Sequence, residues 1–276
     1  MNAIHHHPHL TGVPETLLWT LHGRARAALD PKSSLHDPEA VRVYQQIAYD
    51  FMRFGPPDVA HGLTVQQIDL AVELWLAQQR VAGLEGMVVE LGVGLETRHL
   101  RCGDHTSWWV CVDVPSVMSL RGRLLPPTRR CAHITCSALG TKWMDLIPDD
   151  GPVCIIAQGL LMYFEPYEVQ SLVAELFQRF PQLTLIFDAV PEWFAQKTVR
   201  GWQVGDGYAV PSMPWGLDPE TVEPTLRAWA PEVDSVTRVD TAVMGNTPGP
   251  CARALQRLPG FKRPSASVVV ARSKLR

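Results

Sequence analysis

The sequence predicts an α/β protein built on a doubly wound, mostly parallel sheet. From residue 86 onward, short apolar runs alternate with segments of helical spacing. The apolar runs are rich in Val, Ile, Leu and Cys and show little polar alternation, as strands do when helices cover both faces of their sheet. An alternation of such strands with helices is typical of parallel sheets.

Seven apolar runs are candidate strands, and five candidate helices lie among them. The strands cover 87–91, 108–113, 132–136, 152–157, 182–188, 235–240 and 266–272, and the helices lie near 95–101, 115–125, 166–180, 191–200 and 219–229. The last run follows a long stretch rich in Pro and Gly, and we expect it to pair as an antiparallel edge strand. Residues 201–218 hold several Gly and Pro, so we expect an irregular, lid-like insertion there.

Three further helices are predicted before the sheet. They run from Pro14 to Leu29, from Asp37 to about Asp50 and from Thr64 to Val81. Asp37 and Pro38 suit the N-cap and the first position of the second helix. Within the third helix, apolar residues recur at helical spacing, and Gly83 follows as a residue that commonly ends a helix. We therefore expect a disordered His-rich end over 1–10, a helical cover over 11–85 and the sheet domain over 86–276.

Composition excludes several classes of partner. The net charge is about −3, so the chain offers no basic excess for nucleic acid. No run approaches the roughly 18 apolar residues of a membrane-spanning helix, and the N-terminus lacks a signal-peptide pattern. We expect a cytoplasmic protein that acts on a small molecule and binds neither nucleic acid nor a membrane, with an oligomeric state that the sequence does not define.

Cysteine and histidine do not indicate a metal site. Cys131 and Cys136 are the only close pair of cysteines near a histidine, His133, and strand alternation is expected to scatter them across the two faces of the sheet. We therefore expect no metal.

The strongest functional signal lies where the first two strands end. Glu90 near the end of the first apolar run is followed by Gly92 and Gly94, and Asp113 ends the second run about 20 residues later. Glycines at such a turn let backbone amides approach a ligand, and a carboxylate at the next strand end accepts ribose hydroxyls. This combination predicts a nucleoside cofactor.

The loop is unsuited to a dinucleotide. A dinucleotide site has a third glycine three residues after the second, where this chain has Thr97 preceded by the bulky Leu95 and Glu96. A pyrophosphate would meet these side chains, which disfavours NAD and FAD. S-Adenosylmethionine has no phosphate and needs no bare helix N-terminus.

Several motifs, in order along the chain, resemble those of the leucine carboxyl methyltransferase-like branch of class I S-adenosylmethionine methyltransferases, in particular the tetracenomycin-type polyketide O-methyltransferases. Residues 92–98 (Gly-Val-Gly-Leu-Glu-Thr-Arg) are similar to the family's Gly-x-Gly-Leu-Asp-Thr-Arg loop. Residues 112–117 resemble its Asp-Leu-Pro-Glu-Val turn, and 157–164 its Ala-Glu-Gly-x-Leu-Met-Tyr segment. The N-terminal matches are 11–18, 22–25, 36–40 and 49–51. The resemblance implies a Rossmann-like sheet of seven strands.

The resemblance also implies roles for individual residues. Around the adenosine, Gly92 and Gly94 let the backbone pass beneath the cofactor, Asp113 holds the ribose, Val114 packs on adenine, and Ser137 and Ala138 lie at the adenine edge.

Other roles concern the methionine end and the reaction. Arg24 is assigned to the methionine carboxylate, Arg98 to an ion pair within the loop, and Glu90 to the cofactor site. Tyr163, after the fourth strand, is a candidate catalytic or sulfonium-facing residue, since an aromatic face attracts a cation.

The chain departs from the family at the methionine end of the cofactor. Residues 64–69 resemble the family's Arg-Thr-Arg-Gln-Ile-Asp helix with both arginines replaced, and Gln158 stands where the family has Glu. A cation for the carboxylate and an anion for the ammonium are therefore both missing. We expect the aminobutyryl arm to be held loosely, because each charge-assisted hydrogen bond contributes about 1.5–3 kcal/mol.

Two chemistries follow. One is O-methyl transfer to a carboxylate or phenol of a small secondary metabolite. The other is cyclisation of S-adenosylmethionine to azetidine-2-carboxylate with release of methylthioadenosine, as in azetidine-2-carboxylate synthases. Cyclisation needs a neutral amine, and Gln158 in place of Glu suits that state. A third hypothesis, a non-catalytic cofactor-binding relative, is disfavoured because Gly92, Gly94, Asp113 and Tyr163 are all present.

Overall fold

A computed structural model of the chain describes residues 5–57, 59–103, 106–241 and 265–274. Its α-helices are α1 (Thr16–Leu29), α2 (Pro38–Gln45), α3 (Val59–Ala82), α4 (Arg98–Arg101), α5 (Pro115–Leu124), α6 (Pro166–Arg179), α7 (Glu192–Val199) and α8 (Val222–Trp229). The strands are β1 (Met87–Leu91), β2 (Trp108–Asp113), β3 (Cys131–Thr135), β4 (Val153–Ala157), β5 (Leu183–Ala189), β6 (Trp202–Val204), β7 (Tyr208–Val210), β8 (Val233–Thr241) and β9 (Ala266–Ser273).

Seven strands form one sheet in the order β3-β2-β1-β4-β5-β9-β8. Strands β1 to β5 pair in parallel with one another, whereas β9 is antiparallel to both β5 and β8. Strand β9 lies one position inside the edge strand β8. The predicted fold class, a doubly wound and mostly parallel sheet with an antiparallel pairing toward one edge, is confirmed.

Both faces of the sheet are buried, which explains the near-continuous apolar strands. One face carries Val89 and Ile155 and packs against apolar residues of α6 and α8. The opposite face carries Val88 and Ile156 and packs against the stripe on α3. Alternate residues of each strand point to opposite faces, so a strand covered on both sides must be apolar throughout.

The N-terminal helices differ from expectation in their limits. Helix α3 begins at Val59 rather than Thr64, and α2 ends at Gln45 rather than near Asp50. Residue His6 pairs with Ile47 as an isolated bridge, and Leu10 is buried. Residues of the predicted disordered end over 1–10 therefore contact the N-terminal helices, and residues 1–4 of that end lie outside the described residues.

The prediction of an irregular insertion over 201–218 is wrong for its first half. Strands β6 and β7 form a two-stranded hairpin there. Gly205 and Gly207 adopt φ values of +51° and +80° in the connection, a conformation that only glycine adopts readily. A Cβ on Gly205 would lie 2.2 Å from the Arg53 carbonyl oxygen, so the hairpin packs closely on the N-terminal cover.

A buried ionic network joins the N-terminal helices to the loop after β1. Its centre is Arg98, which is 1% exposed. The Arg98 guanidinium donates to Asp69 of α3 at 2.7 Å and to Glu90 of β1, and it lies 3.6 Å from Glu96. One side chain thereby holds α3, which is distant in sequence, against β1 and the loop that follows it.

Two further arginines complete the network. Arg24 of α1 donates to Glu96 at 3.0 Å and lies 3.1 Å from Asp37, the N-cap residue of α2. Arg101 donates to Asp37, Glu96 and Asp69 at 2.6, 2.8 and 2.9 Å. Burial opposes ionisation of Glu96, but Arg101, Arg24 and Arg98 outweigh it and hold its pKa well below its usual range.

Among the helices of the described ranges, none is long and apolar enough to cross a membrane.

We expect Arg98→Met to destabilise the protein by about 3–5 kcal/mol, because the substitution leaves buried carboxylates without their cation. Urea denaturation measures the free energy of unfolding. Arg179→Met is the matched control, since Arg179 pairs with Asp149 where both side chains are a third or more exposed. Such a surface pair contributes about 0–1 kcal/mol. Equal losses in the two variants would contradict the importance of burial.

Candidate functional site

A cavity of about 230 Å³ lies at the carboxyl ends of the central strands. Ligands of open α/β sheets bind at this edge because the loops after parallel strands meet there. The cavity brings together every residue predicted for the site, which are Arg24, Glu90, Gly92, Gly94, Arg98, Asp113, Val114, Ser137, Ala138, Gln158 and Tyr163. That these residues bind a cofactor or take part in catalysis stays a prediction.

The loop after β1 approaches the cavity with its backbone. Gly92 and Gly94 have φ values of +59° and +52°. A Cβ on Gly94 would lie 3.2 Å from the Leu17 Cβ, and one on Gly92 would lie 2.7 Å from a Leu160 methyl group. Both positions therefore favour glycine for two reasons, the backbone conformation and the space around it.

Asp113 at the end of β2 organises this loop. Its Oδ2 accepts the Gly94 N–H at 2.8 Å, and its Oδ1 accepts the Val114 N–H at 2.7 Å. Burial raises the pKa of Asp113, and the two amides oppose that shift. A carboxylate has about four acceptor positions, so each oxygen keeps one for a ligand hydroxyl.

The methionine end predicted from the sequence is lined by charged residues that are already paired. The Arg98 guanidinium donates to Gln158 as well as to its carboxylates. Arg24, assigned to the methionine carboxylate, is bound by Glu96, by Asp37 and by the Leu95 carbonyl. That role for Arg24 stays a prediction. A bound methionine carboxylate would have to share the Arg24 guanidinium with Glu96 and Asp37.

Two buried acceptor atoms at this end have no partner among the described residues. They are Oε2 of Glu90 and Nε2 of His61, and both residues line the cavity. Burial lowers the pKa of His61 to about 4, and Arg24 adds to that shift, so the imidazole is neutral at neutral pH. An orphaned carboxylate oxygen of this kind suits a ligand cation.

The other end of the cavity is apolar and aromatic. Its lining includes Trp19, Met162, Val190, Phe194, Trp202 and Met213. Tyr163 lies in a short 3-10 helix after β4, and burial raises the pKa of its hydroxyl to about 12. Tyr163 is therefore a hydrogen-bond donor at neutral pH and not a base.

Sequence reasoning missed Asp188, which also lines the cavity. Its Oδ1 accepts the Gly159 N–H at 2.6 Å, and burial raises its pKa to about 6. The signal was available, because an acid follows the apolar run of β5 just as Asp113 follows that of β2. His61 was also missed, since a histidine on an apolar helix face gives no signal from sequence alone.

The expectation that strand alternation separates the cysteines and histidine near residue 131 is wrong for two of them. Cys131 and His133 are two residues apart and share a face of β3, where Cys111 of β2 joins them within 4.8 Å. The guanidinium of the buried Arg121 lies 3.3 Å from the Cys111 sulfur and 3.4 Å from His133 Nε2. A permanent positive charge there opposes the binding of a cation.

We expect Gly94→Ala to weaken affinity for S-adenosylmethionine about tenfold, because both the strained φ and the Leu17 contact displace the loop. Isothermal titration calorimetry measures this affinity. Gly83→Ala is the matched control, since Gly83 has a φ of +68° with open space around it. Both variants should lose roughly 1–2 kcal/mol of stability from the left-handed conformation. A control that loses equal affinity would show that the effect is not local.

Comparisons with known proteins agree with the geometry. No family model matches the chain. The chain is 30% identical over 220 residues to the tetracenomycin polyketide synthesis O-methyltransferase TcmP of Streptomyces glaucescens, covering 75% of this chain and 81% of that protein.

A second relative and a solved structure are also similar. The S-adenosyl-L-methionine-dependent methyltransferase dpfgK of Gibberella zeae is 29% identical over 195 residues, with 62% of each chain covered. The crystal structure of magnesium protoporphyrin IX methyltransferase from Synechocystis PCC 6803 with bound SAH is 13% identical, with a TM-score of 0.47 over 86% of this chain and 94% of that one. Because the Streptomyces protein is 30% identical and 81% of its length is matched, this chain belongs to the family of S-adenosylmethionine-dependent methyltransferases that includes the tetracenomycin polyketide O-methyltransferase.

Proposed function

We propose that this protein transfers the methyl group of S-adenosylmethionine to an oxygen atom of a small aromatic metabolite. The observation that supports this most is the division of one cavity into a polar end beside the glycine loop and an apolar, aromatic end. The polar end suits the cofactor, and the aromatic end suits a flat, apolar acceptor. The relative from Streptomyces is named as a polyketide O-methyltransferase, which also favours such an acceptor.

The residues present fit S-adenosylmethionine. Asp113 keeps acceptor capacity for the ribose hydroxyls, and Val114, Ser137 and Ala138 line the same cavity for the adenine. The unpartnered Oε2 of Glu90 offers a buried anionic oxygen to the methionine ammonium. When bound, the cofactor supplies an electrophilic methyl group on a sulfonium.

The chain's own contribution is positioning and exclusion of water. Trp19, Phe194 and Trp202 form much of the apolar wall, and Trp202 belongs to the hairpin that covers the cavity. A methyl transfer is accelerated when acceptor and methyl carbon are held in line in a site that water does not enter. The hairpin β6–β7 is therefore proposed as part of the acceptor wall, as is the helical cover.

A second candidate function, cyclisation to azetidine-2-carboxylate, has one observation in its favour. Among the described residues, both guanidiniums that line the cavity are paired with carboxylates, and Gln158 is neutral. A methionine arm that lacks a free cation for its carboxylate is held less firmly, which is what ring closure requires. The family supports methyl transfer, which we therefore propose first.

Incubation with S-adenosylmethionine alone separates the two functions. We expect the cofactor to remain intact without an acceptor, because methyl transfer needs an external oxygen, and S-adenosylhomocysteine to form once an acceptor is added. Mass spectrometry identifies the nucleoside product. Methylthioadenosine formed without an acceptor would contradict the proposal and support cyclisation. Binding without any product in the presence of hydroxylated and carboxylated arenes would indicate a non-catalytic relative.

We expect Asp113→Ala to weaken S-adenosylmethionine binding by about tenfold to about a hundredfold, since each charge-assisted hydrogen bond contributes about 1.5–3 kcal/mol. Calorimetric titration gives the Kd, and Asp113→Asn tests the charge while keeping an acceptor oxygen for the loop. The exposed Asp145 provides the control substitution, Asp145→Asn. Wild-type affinity in Asp113→Ala would remove the ribose assignment.

A further inference from the structure

A buried imidazole, that of His61, lies at the polar end of the cavity. His61 belongs to α3, and only 6% of its surface is exposed. It lines the cavity together with Thr64, which follows three residues later on the same side of the helix. Position 64 is the first of the two at which the resembling helix of the family has an arginine. Thr64 therefore places no charge beside this imidazole.

Helix α1 fixes the position of the His61 ring. A Cβ on Gly23 would lie 3.2 Å from the His61 Cδ2 and 3.5 Å from its Cγ, so the ring packs directly on the backbone of α1. One ring nitrogen also forms a hydrogen bond with the backbone of Thr20 in the same helix. Because Nε2 has no partner among the described residues, the bonded nitrogen is Nδ1.

The bond to Thr20 decides which ring nitrogen carries the proton. This bond raises the pKa of His61, as a carbonyl acceptor does, and a nitrogen that bonds a carbonyl oxygen must be the donor. Burial nevertheless lowers the pKa to about 4, and the charges of Arg24 and Arg98 add to that shift against the opposite effect of Glu96. The ring is therefore neutral at neutral pH, with Nδ1 protonated and a lone pair on Nε2.

An unpartnered lone pair is suited to a donor on the ligand. At the methionine end of S-adenosylmethionine the donor is the α-ammonium, whereas the carboxylate only accepts. Gln158 stands where the family's glutamate would meet this ammonium, and the Gln158 amide oxygen already accepts from Arg98. A buried neutral acceptor is thus present in a chain whose anionic acceptor at position 158 is replaced.

We propose that His61 is a cofactor-binding residue whose Nε2 accepts an N–H of the S-adenosylmethionine ammonium, in place of a glutamate at position 158. An ammonium has three N–H groups, so this contact leaves donors for the unpartnered Oε2 of Glu90. The inference rests on the proposed function, whose cofactor it shares, and it specifies how the amino group is recognised.

Three ligands separate the parts of the cofactor. S-Adenosylmethionine carries both the ammonium and the carboxylate, its decarboxylated form keeps only the ammonium, and methylthioadenosine has neither. Titration calorimetry gives the Kd of the wild-type protein for each. Failure to bind S-adenosylmethionine would overturn this inference together with the proposed function. Methylthioadenosine formed during that titration would contradict methyl transfer alone, and the decarboxylated ligand would still test His61.

We expect His61→Phe to raise the Kd for S-adenosylmethionine and for its decarboxylated form by about tenfold to about a hundredfold, the effect of one hydrogen bond to a charged group. The Kd for methylthioadenosine should stay within threefold of wild type. Phenylalanine keeps a planar ring on Gly23 and removes the acceptor. Unchanged affinity for both ammonium ligands would overturn the inference. A loss confined to S-adenosylmethionine would also overturn it, because His61 would then face the carboxylate.

Gly23→Ala displaces the ring without removing it. The added Cβ would lie 3.2 Å from the His61 Cδ2, so the ring must shift by a few tenths of an ångström. We expect the Kd of both ammonium ligands to rise about threefold to tenfold, with no loss of folding stability because alanine is favoured in helices. Gly122→Ala in α5 is the matched control, since nothing lies within 4 Å of its added Cβ. Equal Kd values in the two variants would contradict the need for a positioned ring.

A measurement on the ring itself identifies the acceptor atom. In protein labelled with ¹⁵N at its histidines, His61→Phe assigns the two ring resonances of His61. We expect the unprotonated nitrogen to shift when decarboxylated S-adenosylmethionine is added and to stay in place with methylthioadenosine. A ring that becomes protonated on both nitrogens when S-adenosylmethionine binds would be an imidazolium paired with the carboxylate, and it would overturn the inference.

Discussion

The buried cluster around Arg98 is the interaction on which the rest of the structure depends. Three arginines, Arg24, Arg98 and Arg101, are packed with four carboxylates that come from α2, α3, β1 and the loop after β1. Removing charges from water costs several kcal/mol per ion, and only close, multiple pairing offsets that cost. The loop that carries the two glycines is therefore fixed by charge pairs as well as by its own backbone.

The cluster also explains why most polar groups at the polar end of the cavity already have hydrogen-bond or ion-pair partners. The guanidiniums are used by the protein itself, and the excess of carboxylate leaves one oxygen of Glu90 unpartnered toward the cavity. A buried anionic oxygen without a partner is costly unless a ligand supplies a donor. The proposed binding of the cofactor ammonium at Glu90 would therefore couple cofactor binding to the stability of the N-terminal cover, because α1 and α3 both contribute to the cluster.

Much of the fold could be predicted from the sequence because burial on two faces leaves a strong local signal in strands such as β1 and β4. The residues at the strand ends could be placed together for a topological reason, since parallel strands bring their carboxyl ends to one edge. The hairpin β6–β7 could not be predicted, because Gly205 in its turn packs against the Arg53 carbonyl oxygen, which is distant in sequence. The partners of Arg24 were equally hidden, since Glu96 lies 72 residues away.

Asp113 and Asp188 show how one kind of position can acquire two kinds of chemistry. Both are aspartates at the carboxyl edge of the sheet, and both accept a backbone amide from a glycine in a neighbouring loop. Asp113 is bound on both oxygens, which fixes an anion that is suited to hydrogen-bonding hydroxyls without taking their protons. Asp188 accepts the Gly159 amide and its own backbone amide, but burial outweighs both and raises its pKa to about 6. Different environments therefore give two carboxylates in one cavity different affinities for a proton.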